Sequence, residues 1–165
     1  MNSTEPYLLT PGPLTTSRQV KEAMLRDWGS WDTDFRAMTS ELRERLLAIL
    51  DSKTADYECI PIQGSGTYAV EAMLSSLVSP KEKVLVLANG AYGLRAAQIL
   101  EYLNRPFQII DKGDYSPPRG IDVKKAIDSD PNISHIFVVQ CETSSGILNP
   151  VEEIAEVTYS MGKKL

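Results

Sequence analysis

Val84-Leu85-Val86-Leu87-Ala88-Asn89-Gly90-Ala91-Tyr92-Gly93 decides the fold class. Its first four residues are an unbroken run of branched apolar side chains, as in a strand covered on both faces. Asn89-Gly90 ends the run, and Leu94, Ala97 and Leu100 then recur at the spacing of a helix that packs on a sheet. A buried strand passing directly into such a helix is the βα unit of a parallel sheet.

The pattern repeats on both sides. Upstream, residues 58–62 read as a strand, and Val70, Met73, Leu74 and Leu77 as the apolar face of the following helix. Downstream, residues 107–110 and 135–140 read as strands, and the run Ile136-Phe137-Val138-Val139 marks the second as central, like residues 84–88. Ile154, Val157 and Met161 signal one more helix. The expected class is α/β, a three-layer domain with a mostly parallel sheet over residues 57–165.

Residues 1–56 differ. A rigid stretch, Thr10-Pro11-Gly12-Pro13, leads into helices expected over residues 17–26 and 34–50, which makes this an extended and helical N-terminal segment. At the other end, Gly162 has the position of a helix-terminating glycine, and Lys163-Lys164-Leu165 would feed a further parallel strand. The sheet is therefore expected to be truncated at Leu165.

Composition narrows the function. The chain has 17 basic and 22 acidic residues, a formal charge of -5, and no basic run that would track a nucleic-acid backbone. Met1 to Pro13 has no basic leader pattern and no apolar stretch is long enough to span a bilayer, so a soluble, cytoplasmic protein is expected. Cys59 and Cys141 stand far apart, without metal-ligand spacing; neither a disulfide framework nor a metal site is expected, and Cys59 fits a small core residue. His135 opens a strand and so lies at the sheet edge opposite the ligand-binding edge, where a structural role is expected. Glu41, Arg43, Glu44 and Arg45 read as a solvated helix face, and residues 115–120 as a surface loop.

Three motifs follow strands. Gln63-Gly64-Ser65-Gly66-Thr67 joins a strand to a helix, where small residues and free N–H groups favour an anion such as phosphate; an ordinary capped turn has the same composition. Gly64 to Ala69 also fits the dinucleotide fingerprint, which keeps a Rossmann-like nucleotide-binding domain open. That reading requires an acidic residue after the next strand, and Asn89-Gly90 stands there instead. Tyr92 is placed to stack on a flat ring or to pack on its own helix. Residues 140–146 deliver several hydroxyls to the same edge, or else form a polar turn.

In this order, together with Leu8-Leu9-Thr10-Pro11-Gly12-Pro13 and Cys141-Glu142-Thr143-Ser144-Ser145-Gly146-Ile147-Leu148-Asn149-Pro150, the motifs resemble the fold-type-I, class-V aminotransferases that use pyridoxal 5'-phosphate. The resemblance spans essentially the whole chain. It implies that Ser65, Gly66 and Thr67 hold the cofactor phosphate, that Tyr92 stacks on the pyridine ring, and that Thr143 bonds near the ring 3-hydroxyl. It also implies that Gly12 belongs to a strand close to substrate. Trp28-Gly29-Ser30-Trp31-Asp32-Thr33-Asp34-Phe35 is similar to the branch that moves the amino group of 2-aminoethylphosphonate to pyruvate. The branch acting on alanine and glyoxylate, or on serine and pyruvate, remains the alternative. Homodimers are implied as well. The Schiff-base lysine and the aspartate that pairs with the pyridinium nitrogen would lie beyond Leu165, so no catalytic residue is expected within these 165 residues, and the chain alone is expected to be inactive.

Overall fold

The computed structural model describes residues 6–50 and 56–165. Two units divide the chain, Met1–Gln63 and Gly64–Leu165.

The first unit contains α1 (Arg18–Ala23) and α2 (Thr33–Leu47). Ser17 starts α1 by accepting a hydrogen bond from the Val20 amide at 3.3 Å. Both helices stop short of their expected C-terminal ends, and neither buries a residue within this unit. Without a buried apolar face, they have little packing to extend them. Between them, Arg26 lies 3.8 Å from the centre of the Trp28 ring, which packs on Phe35 with ring centroids 6.3 Å apart. Arg43 departs from the expected solvated face. It reaches across to the Glu58 carboxylate and donates to the Cys59 carbonyl at 2.7 Å. Cys59 itself is only half-buried, not a core residue.

The strand expected over residues 58–62 does not form. A strand exists only as part of a ladder, and no described strand pairs with this stretch; Ile60 and Ile62 are accordingly exposed.

The second unit runs α3 (Gly66–Leu77), β1 (Lys83–Ala88), α4 (Ala91–Tyr102), β2 (Phe107–Asp111), α5 (Gly120–Ser129), β3 (Ile133–Val138), β4 (Cys141–Glu142), β5 (Ile147–Leu148) and α6 (Val151–Ser160). The main sheet has the order β2-β1-β3, with both pairings parallel. β1 is central and its core residues are fully enclosed. Val84 and Val86 pack with Leu74, Ala96, Ala97 and Leu100 of α3 and α4 on one face. Leu85 and Leu87 pack with Val123, Ala126, Ile127 and Ile154 of α5 and α6 on the other. This is the expected three-layer arrangement. Each fully buried Val, Leu or Ile among them contributes roughly 1.5–3 kcal/mol.

A bulge explains why Ile133 and Ile136, three positions apart, share one face. Lys83 pairs with Ile133 but Val84 with His135, so Ser134 is the extra residue, and its hydroxyl donates to the Lys83 carbonyl at 3.1 Å. The strand therefore starts and ends two residues earlier than expected. Helix α5 was not expected: its start lies directly behind the Pro/Gly-rich loop, and Glu153 of α6 caps it by accepting from the Gly120 amide at 2.8 Å. The expected glycine signal at the chain end holds. Gly162 has φ +68, and beyond it Lys164 makes a parallel bridge to His135 on the free side of β3.

Candidate functional site

A cavity of about 650 Å³ opens in the second unit between the first turn of α3, one side of α4 and the C-terminal half of β3. It brings together Ser65, Gly66, Thr67 and Tyr92, four residues singled out from sequence. Its floor is apolar, from Phe137 to Val139, and Arg95 is the charged residue on its wall.

Two helices point their N-termini towards this region, and they are finished in opposite ways. At α3, the Ser65 hydroxyl accepts from the Tyr68 amide at 3.2 Å, and the Ala69 amide bonds to the Ser65 carbonyl. The Gly66 and Thr67 amides have no acceptor among the described residues, and nothing lies within 4 Å of where a Cβ on Gly66 would stand. Two free N–H groups, the positive end of a helix dipole and open space in front of them suit a phosphate.

At α4 every early amide is taken. Ala91 donates to the Ser144 hydroxyl at 2.8 Å, while Tyr92 and Gly93 both donate to Glu142 Oε2 at 3.1 Å. The other carboxylate oxygen of Glu142 accepts from the Ser144 amide at 3.3 Å and from its hydroxyl at 2.6 Å. Glu142 is fully buried. Gly90 leaves room for this contact, since a Cβ there would stand 2.5 Å from both Glu142 Cγ and Ser144 Oγ. One helix terminus is thus filled from within the protein, and the other keeps two amides without an acceptor among the described residues.

The hairpin β4–β5 that carries Glu142 is itself fixed to the end of β1. Asn89 and Asn149 exchange amide hydrogen bonds of 2.8 and 2.9 Å, and Asn149 also donates to the Val139 carbonyl at 2.7 Å. Asn89 occupies the place where a dinucleotide site would need a carboxylate, and here its side chain is buried in protein contacts.

Thr143 lies on the exposed turn of this hairpin and is not among the residues that line the cavity, whereas its neighbour Cys141 is. Gly12 belongs to the first unit, in an exposed stretch without regular structure. Tyr92 is about half exposed, its ring on the cavity wall and its amide held by Glu142. No lysine lines the cavity; Lys112 pairs instead with Asp122 at 3.2 Å. His135 is buried at the far edge of the sheet beside Ser134, as expected for a structural residue, and burial lowers its pKa from the ordinary histidine value. Sequence reading missed Glu142, Ser144 and Asn149 as a working group. The available signal was a carboxylate and an asparagine inside an otherwise hydroxyl-rich turn, with a glycine at position 90 to admit them.

No family model matches the chain. Over 161 residues, 98% of its length, it is 64% identical to the 2-aminoethylphosphonate–pyruvate transaminase of Rhizobium meliloti strain 1021. It is 60% identical over 161 residues to transaminase 1 of the same name from Paraburkholderia xenovorans LB400. Among solved structures, the pyridoxamine–pyruvate aminotransferase of Mesorhizobium loti matches 99% of the chain with a TM-score of 0.83 at 20% identity. The ureidoglycine–glyoxylate aminotransferase of Bacillus subtilis matches 98% with a TM-score of 0.83 at 23% identity. Its fold is that of an aminotransferase. The chain covers 42% and 41% of the two curated relatives and 42% of each of these two structures, so it corresponds to about two fifths of such an enzyme. The resemblance read from the motifs therefore holds at the level of sequence as well as fold. Among the described residues no helix is long and apolar enough to cross a membrane, and no cluster suits a metal ion.

Proposed function

We propose that the whole protein transfers the amino group of 2-aminoethylphosphonate to pyruvate, yielding phosphonoacetaldehyde and L-alanine, with pyridoxal 5'-phosphate as cofactor. The observation that carries the cofactor reading is the pair of unoccupied amides at Gly66 and Thr67 facing the same cavity as the Tyr92 ring. The choice of donor and acceptor rests on the printed activity of relatives 60–64% identical to the chain.

In this proposal the Gly66 and Thr67 amides, with the Ser65 and Thr67 hydroxyls beside them, bind the phosphate of the cofactor. Tyr92 lies against one face of its ring, and Thr143 orients the ring through its 3-hydroxyl. Gly12 brings backbone close to the substrate. When bound, pyridoxal phosphate supplies the electron sink through which an amino group leaves one carbon and is delivered to another. The apolar floor from Phe137 to Val139 keeps water from the ring. No lysine lines the cavity, so the 165-residue chain alone binds the cofactor weakly and does not turn over substrate. The working enzyme is a homodimer. A cytoplasmic setting fits the unpaired cysteines Cys59 and Cys141.

The test is a donor and acceptor panel on the full-length protein. Phosphonoacetaldehyde formed from 2-aminoethylphosphonate and pyruvate, in preference to products of alanine with glyoxylate or serine with pyruvate, is the expected result. Preference for either of the other pairs would overturn the substrate assignment while leaving the cofactor site intact.

A further inference from the structure

Glu142 does more than end a helix. Its two carboxylate oxygens join the start of α4, which carries Tyr92, to the β4–β5 turn, which carries Thr143. Oε2 holds the amides of Tyr92 and Gly93 at 3.1 Å each, and Oε1 holds the amide and hydroxyl of Ser144, the residue next to Thr143. The Ser144 hydroxyl closes the circuit by accepting from the Ala91 amide at 2.8 Å. Tyr92 and Thr143 are far apart in sequence and their elements share no ladder, since β4 pairs only with β5. The Glu142 side chain is fully buried, and a Cβ on Gly90 would stand 2.5 Å from its Cγ and from Ser144 Oγ, so the link depends on the glycine at position 90.

We propose that Glu142 is a positioning residue for the cofactor ring, setting the distance between Tyr92 and Thr143, and that it takes no part in holding the phosphate. The inference rests on the pyridoxal phosphate reading given above. Filling the α4 terminus with a carboxylate has a second effect: it leaves the start of α3 as the one of these two helix ends that offers free amides to an anion. Ring placement and phosphate binding are thereby assigned to separate groups, and this separation can be measured.

Glu142→Gln tests it. A glutamine can face only one of its two neighbours with an oxygen, so either the α4 amides or the Ser144 amide meets an NH2 group and the link loosens. Pyridoxal phosphate and inorganic phosphate are titrated separately by calorimetry into the full-length protein freed of cofactor, as wild type, Glu142→Gln and Ser144→Ala, with helicity checked by circular dichroism. The expected result is a loss of pyridoxal phosphate affinity of about tenfold or more in Glu142→Gln, as misplacement on the ångström scale produces. Inorganic phosphate affinity should stay within about twofold, and Ser144→Ala should shift in the same direction by less. A folded Glu142→Gln with unchanged affinity for both probes overturns the proposal. If Glu142→Gln loses both probes together with its helicity, Ser144→Ala decides, and wild-type affinities in that variant overturn it. A cofactor-free full-length protein that binds inorganic phosphate but not pyridoxal phosphate sinks the cofactor reading, and the role of Glu142 with it.

Discussion

Replacing Gly93 by alanine should destabilise the second unit by about 2 kcal/mol, although alanine is the better helix former. An ideal Cβ at this position stands 2.8 Å from Ala88 Cα, 2.9 Å from Ala88 Cβ and 3.4 Å from the Leu87 carbonyl oxygen. Non-bonded carbons rest at about 3.5–4.0 Å, so the new methyl is roughly 0.7 Å too close to two atoms of β1. β1 cannot retreat, because it is hydrogen-bonded to β2 and β3 on its two sides and both its faces are packed. Overpacking of this kind costs about 1–3 kcal/mol, and the rigidity of a central strand places it near the upper end. Alanine recovers about 1 kcal/mol through helix propensity. The assay is urea unfolding followed by far-ultraviolet circular dichroism, since both tryptophans, Trp28 and Trp31, belong to the first unit. With a denaturant slope of about 2 kcal/mol per molar, the midpoint should fall by about 1 M. A midpoint equal to or above that of the wild type would refute the claim that α4 is pressed against β1 at this glycine.

Two further outcomes follow from the same geometry. Gly66→Ala places a methyl where no atom lies within 4 Å, so stability should change by no more than about 0.5 kcal/mol, but the methyl stands beside the free amides and phosphate affinity should fall. Unchanged calorimetric binding of inorganic phosphate would remove the start of α3 as the anion site. Acid should loosen α5 first. Asp130, hydrogen-bonded to Lys83, and Glu153, which accepts from the Gly120 amide and Arg119, both have pKa values lowered from the ordinary carboxylate range. A lowered folded-state value means that their stabilisation is complete above the unfolded value near about 4 and is lost as pH falls through the lower folded one. Protection of the amides of residues 120–129, taken relative to their intrinsic exchange rates, should therefore fall below about pH 4, less steeply in Asp130→Asn; protection factors that do not change with pH would contradict the assignment.

The residues of β1, α3, α4 and α6 declared themselves because buried elements leave a period in the sequence. Val84 to Leu87 is apolar at every position because the strand is covered on both faces, and no polar side chain is tolerated there. The free turn at Gly66 and Thr67 and the tyrosine after β1 were equally legible, since each depends on residues adjacent in the chain. What the sequence alone could not decide was pairing. Residues 58–62 have the composition of a strand, yet a strand is a property of two chains of atoms, and no described partner is present. Helix α5 was hidden behind a Pro/Gly-rich loop: part of its cap is local, Asp122 accepting from the Arg119 amide at 2.9 Å, but the other part, Glu153, lies 33 residues from Gly120. The same holds for the Asn89–Asn149 pair and the Glu142 link, 60 and about 50 residues apart. Local chemistry fixes where a backbone turns or leaves an amide free; only the folded chain decides which distant carboxylate comes to rest on it.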